Sequence, residues 1–172
     1  MKFKNLLFVF MVIALPVFII SCSSDDDDKV NNSIVGTWKF KEVTAGEIKT
    51  NNTANDGKIT SYLVNLAKDD FSGNVYTFSD DGTFSFDDAL ASYHYSGDYT
   101  FKDGKLTLLY GHEDEYDIFN VSIVNGTLIF EENYTEDIND LQLNDLIAIG
   151  IGDPVNFNAT KTTAKIAFNR QK

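Results

Sequence analysis

The sequence predicts an all-β domain: an eight-stranded antiparallel up-and-down barrel with one or two short helices. Three observations carry that expectation. From Ile34 onward apolar and polar residues alternate, the mark of strands with one buried face. Three turn signatures, "DDGT" at Asp80 to Thr83, "KDGK" at Lys102 to Lys105 and "VNGT" at Val124 to Thr127, place Asp-Gly or Asn-Gly where a tight hairpin needs positive φ. Their glycines, Gly82, Gly104 and Gly126, are each 22 residues apart, an interval that fits two strands and one returning loop.

The elements follow outward from those turns. The first strand, Ile34 to Thr44, sets Gly36, Trp38 and Phe40 against Thr37, Lys39 and Lys41 on the other face. After it, Ile59, Tyr62, Leu63, Leu66 and Ala67 fall at offsets 0, 3, 4, 7 and 8, a helical stripe that ends near Gly73. Val75 to Ser79 and Thr83 to Asp87 contribute Tyr76, Phe78, Phe84 and Phe86 to one side. Tyr93 to Phe101 aligns Tyr95, Gly97, Tyr99 and Phe101 opposite His94, Ser96, Asp98 and Thr100. Lys105 to Tyr110 offers Leu106, Leu108 and Tyr110, Tyr116 to Val124 offers Phe119, Val121 and Ile123, and Thr127 to Glu131 supplies Leu128 and Phe130. The segment "TEDINDLQLNDLIAIGIGDP" opens on Thr135 as a cap with acids in its first turn and reads as helix plus loop. The last strand, Thr162 to Arg170, lines up Ala164, Ile166, Phe168 and Arg170. Eight is the strand number at which a closed barrel holds one small ligand.

Residues 1–21 have the three-part plan of a secretory signal. Lys2 and Lys4 precede an apolar run from Leu6 to Ile20, and the small Ser21 stands directly before Cys22. At about 15 residues with Pro16 inside it, the run is short for a spanning helix, which needs roughly 20. Cys22 is the only cysteine, so no intramolecular disulfide forms and a structural zinc site is not expected. "IISC" resembles the lipobox of bacterial lipoproteins, which implies that Cys22 becomes the first mature residue and is acylated, with two or more chains anchoring it stably to a membrane.

The following "SSDDDDK" matches a cleavable purification tag, but its place directly after a lipobox argues for a native segment. It resembles the acidic signal that sends some Gram-negative lipoproteins to the cell surface, which implies a sorting role for Asp25, Asp26, Asp27 and Asp28 at the outer membrane. A plain solvated spacer is the competing reading of that run. Residues 22–33 are then a lipidated acidic tether and residues 34–172 the barrel domain.

Composition narrows the partners. The formal charge is −12, and it becomes more negative once Lys2 and Lys4 leave with the leader. Such a surface repels nucleic acid and anionic headgroups, so neither is expected to bind. No enzyme is expected. His94 lies on the polar phase of its strand and His112 in "GHEDEYD", neither with a nucleophile in register, and the acids at Asp69-Asp70, Asp87-Asp88 and Glu113-Asp114-Glu115 read as solvated loops. "NTANDG" has Ala54 and Leu63 where a calcium loop needs oxygen ligands, so no metal and no cofactor are expected.

A first loop that carries a helix, a meander and a late returning strand resemble the calycins, specifically lipocalin-like lipoproteins. Gly36-Thr37-Trp38 matches the family's Gly-x-Trp motif near the start of the first strand. The resemblance implies that Arg170, from the last strand, packs across Trp38 and closes the barrel floor, with cation–π attraction between them. A β-sandwich with Trp38 as ordinary core and Arg170 exposed is the competing architecture. The expected function is that of a non-enzymatic, monomeric carrier of a small hydrophobic or amphipathic molecule, with Tyr76, Phe78, Tyr95, Tyr99, Phe119 and Phe130 as candidate ligand contacts. The alternative is a filled barrel whose surface meets a partner protein or glycan.

Overall fold

The computed structural model describes residues 33–88, 90, 92–111 and 115–172. Cys22 and Asp25 to Asp28 lie outside the described residues, as do His112, Glu113 and Asp114. Eight antiparallel strands, β1 (Gly36–Thr50), β2 (Asn74–Phe78), β3 (Thr83–Asp88), β4 (Tyr93–Lys102), β5 (Lys105–Leu109), β6 (Tyr116–Val124), β7 (Thr127–Asn133) and β8 (Ala159–Arg170), pair in sequence order, and β8 returns to β1 to close the barrel. Closure leaves no unpaired sheet edge, and it rules out the sandwich.

Turn chemistry sets the register. Asp103-Gly104 and Asn125-Gly126 have φ of 53° and 76°, and 50° and 74°, positive at both central positions as a two-residue hairpin requires. "DDGT" differs, because there Gly82 alone (φ 86°) is left-handed. Its N–H donates to Ser79 O at 3.3 Å and Ser79 N–H donates to Thr83 O at 2.9 Å, the longer loop in which glycine follows an ordinary turn.

Up-and-down topology gives the barrel two unlike ends. The three hairpin turns, the start of β1 and the end of β8 gather at one; the helix-bearing and longer connections lie at the other. At the hairpin end the interior is solid. Trp38, Phe78, Leu106, Leu108, Leu128, Phe130, Ile166 and Phe168 are fully buried there. The indole Nε1 of Trp38 donates to Ile34 O at 2.6 Å, and the Arg170 guanidinium lies 4.9 Å over the ring. Arg170 Nη2 also donates to Ser33 O at 2.7 Å and Val35 O at 2.5 Å, so both side chains tie residues 33–35 beneath the barrel. Gly36 holds φ 134°, a backbone conformation that side-chain-bearing residues rarely adopt, beside the Arg170 guanidinium.

β1 and β8 are longer than alternation predicts, with β1 reaching Thr50, six residues past the predicted end at Thr44. Their pairing shifts register between Phe40 and Glu42, between Ala45 and Ile48, and between Lys49 and Thr50. Each bulge breaks the two-residue period, so the pattern fades while the ladder continues. On the exposed face Glu47 pairs with Lys161 at 2.5 Å and with Lys49, and those contacts hold its carboxyl down at about 2.

The helical stripe forms α1 (Asp56–Phe71), preceded by a 3-10 turn at Thr53–Asn55 whose Ala54 N–H is capped by Asn52 Oδ1 at 3.1 Å. It buries Ile59, Leu63, Ala67 and Phe71 against β1 and β8, with Phe71 edge-on to Phe168 at 6.4 Å. The second segment becomes two short helices, α2 (Thr135–Asn139) and α3 (Leu143–Ile149), each anchored by one buried side chain, Ile138 and Leu146. Thr135 is not the cap of α2. That position is Tyr134, and Asn133 Oδ1 instead accepts from the Thr135 N–H (3.1 Å) and hydroxyl (2.6 Å), leaving Thr135 Oγ1 to accept from Thr162 N–H at 2.9 Å.

Candidate ligand cavity

Above the solid floor the barrel opens into a cavity of about 820 Å³ at the end that carries the longer connections. Five of the eight strands, β2, β3, β4, β6 and β7, contribute side chains to it. Tyr76 near the start of β2, Phe86 near the end of β3 and Tyr95 near the start of β4 form one wall. Phe119 of β6 forms the opposite one. These rings are coupled: Tyr76 stands 4.8 Å from Phe86 and 5.3 Å from Phe130, Phe86 stacks on Tyr95 at 6.1 Å, and Phe119 stacks on Phe130 at 4.8 Å. Such offset and edge contacts hold an aromatic wall in one arrangement.

Three of the six expected ligand contacts, Tyr76, Tyr95 and Phe119, therefore line the cavity. The other three do not. Phe130 is fully buried in the layer beneath, and Phe78 and Tyr99 belong to the hairpin end, where their rings meet at 5.0 Å and the Tyr99 hydroxyl donates to Ser79 O at 2.8 Å. Strand phase tells which way a side chain points but not its height in the barrel. Height follows from which end the nearest hairpin occupies, and Phe78 is one residue from such a turn.

Apart from Phe71 and Ile118, the rest of the lining is polar and acidic. Asp70 in the last turn of α1, Glu115 just before β6, Asp117 of β6, Glu132 of β7 and Asp137 of α2 all line the cavity. Asp69-Asp70, at the end of α1, and Asp87-Asp88, in β3, thus correct the reading of those acids as loop residues. Tyr110 donates its hydroxyl proton to Asp117 Oδ2 at 2.6 Å, and Tyr134 donates to Asp70 Oδ2 at 3.0 Å. Burial, with the neighbouring carboxylates, pushes both phenols well above their ordinary range, so they stay donors. Glu132 is pushed up to about 7, first by burial and then by the negative charges of Asp117, Asp137 and Asp70.

Two of these acids were legible by phase. Asp117 precedes Phe119 and Val121 at two-residue steps, and Glu132 follows Leu128 and Phe130 in the same way once β7 is allowed to run to Asn133. The two helical acids were not, because only the fold brings α1 and α2 to the rim. His94 sits on the exterior of β4, its Nδ1 2.7 Å from Asp87 Oδ1 on the neighbouring strand. Among the described residues no three acidic or histidine side chains converge tightly enough to hold a metal ion.

A family model of the lipocalin-like domain matches residues 34–145, from the strand that bears Trp38 through α2 into α3. No curated protein and no solved structure matches. The match stops short of β8, and the structure supplies that strand: it pairs Arg170 with Trp38 and closes the barrel. The fold is one suited to enclosing small molecules, and the chain belongs to the lipocalin-like domain family.

Proposed function

We propose that this protein is a non-catalytic lipoprotein that holds a small amphipathic molecule in the open half of its barrel, anchored to the bacterial outer membrane through Cys22. The observation that carries the binding is the cavity itself, about 820 Å³ above a closed floor, walled on two sides by rings. That volume falls within the range of small-molecule sites, and its polar rim and aromatic walls match a ligand with unlike ends. Removal of apolar ligand surface from water contributes about 25 cal/mol per Å² before the cost of association. A barrel filled to its mouth, as a pure protein- or glycan-contact module requires, is disfavoured by the same opening.

Anchoring and surface placement rest on the sequence of residues 1–28, with the lipobox at Cys22 and the aspartates Asp25 to Asp28 as the sorting signal. Mass spectrometry of small molecules extracted from the purified protein tests carriage. A stoichiometric amphipathic compound is expected, and an empty extract together with unchanged melting across a ligand panel contradicts it. Protease shaving of intact cells tests placement: digestion of the domain is expected, and full protection defeats the surface claim while leaving lipidation standing.

A further inference from the structure

Resting on that reading of the cavity, we infer that its ligand is an organic cation, an ammonium or guanidinium group on an apolar body. The charge sits among Asp70, Asp117, Glu132 and Asp137, and the body lies against Tyr76, Tyr95 and Phe119. These four of the five acids that line the space come from four separate elements, α1, β6, β7 and α2, and the fifth, Glu115, stands just before β6. Among the described residues no lysine, arginine or histidine lines that space, and none of the four acids has an ion pair. Like charges gathered in a half-desolvated space repel one another more strongly than they do in water. Acids that only keep a protein soluble face outward and apart, as Glu131 does one residue from Glu132.

A second observation is independent of the charges. Asn74, only 3 % exposed, forms part of the cavity wall, and its Nδ2 donates to Asp70 O at 3.3 Å while Oδ1 has no partner. A buried amide oxygen without a donor is rare, and this one adds an unsatisfied acceptor to the wall beside the Tyr76 hydroxyl, which hydrogen-bonds the same side chain. Tyr110 and Tyr134 have already committed their protons to Asp117 and Asp70. The charged groups and the unpartnered group are therefore all acceptors, the complement of a ligand rich in N–H donors and positive charge.

Size and surroundings separate an organic cation from a metal ion. A hard divalent cation needs its oxygens at about 2.0–2.6 Å, and the described acids do not converge to that degree. They leave room for a larger, softer charge beside ring faces, which attract cations themselves. Crowding by Asp117, Asp137 and Asp70 on top of burial raises the Glu132 carboxyl to about 7, and an arriving positive charge relieves that repulsion.

The test is titration calorimetry on the protein purified from expression of its full sequence, with three probes of like skeleton: phenethylamine, phenethyl alcohol and phenylacetate. The amine is expected to bind roughly tenfold or more tightly than the alcohol, with no saturable binding of the carboxylate. Glu132→Gln with Asp117→Asn is expected to erase most of that preference, and Glu131→Gln on the outer face to leave it intact. Equal binding of amine and alcohol, or displacement of the amine by stoichiometric calcium chloride, overturns the cationic ligand while the cavity remains a binding site. Failure of all three probes to bind, together with an empty extract of the purified protein, overturns the carrier reading beneath it.

Discussion

The Arg170 guanidinium lies 4.9 Å over the Trp38 indole, and the two side chains reach down to three successive carbonyl-bearing residues, Ser33, Ile34 and Val35. The pair does more than stack. It joins the first and last strands, which face each other at Trp38 and Arg170, and it draws the chain entering the barrel across the floor. Above it Phe78, Phe130 and Phe168 are fully buried between the pair and the cavity.

Replacement of Arg170 by methionine is expected to keep apolar contact with the ring but to leave two carbonyls without their donor, at a cost of roughly 1–3 kcal/mol in chemical denaturation. Lysine at the same position restores charge without the guanidinium's planar fork and is expected to recover only part of it. Full stability in Arg170→Met would show that the floor is held by packing alone.

Gly97 sits where β4 and β5 coil together. A Cβ there would fall 1.8 Å from the backbone oxygen of Leu109, which no rotamer change can relieve. Gly97→Ala is expected to lower stability by about 1–3 kcal/mol through displacement of β5, read as a lower urea midpoint with an unchanged slope. An unchanged midpoint would mean that the strands separate there at no cost.

Glu132 gives the stability curve a definite sign. Its carboxyl is raised from 4.5 to about 7 in the folded protein, so between those values the folded state holds a proton that the unfolded chain has released. Stability is therefore expected to fall as pH rises from 4.5 to 7, with the loss complete above that window. Glu47 and Asp81, both held low, contribute in the opposite sense and only at more acid pH. Urea midpoints measured across the window are expected to slope less in Glu132→Gln than in the wild type. Parallel slopes would assign the pH dependence to general charge repulsion.

The eight strands, their order and the hairpin ends were legible because the alternation of Tyr76, Phe78, Phe84 and Phe86, and the Asp-Gly and Asn-Gly turns, are local signals. The length of β1 was not, since its bulges break the period that reveals a strand. The cavity was half legible. Inward phase selects Tyr76, Tyr95 and Phe119, but it also selects Phe78 and Tyr99, which the hairpin end buries in the floor. Asp70 and Asp137 escaped because their position depends on where α1 and α2 dock, a long-range outcome with no periodic trace.

The central claim is that the aromatic-walled mouth binds a small amphipathic molecule. Tyr95 forms part of that wall yet is 47 % exposed, so Tyr95→Ala removes a cavity surface at little cost to folding. Titration of the uncharged fluorophore N-phenyl-naphthylamine, whose emission rises on leaving water, is the direct measurement. Saturable enhancement at one site per chain, weakened several-fold by Tyr95→Ala, is the predicted result. No enhancement, or enhancement indifferent to the loss of Tyr95 and of Phe119 alike, would contradict it.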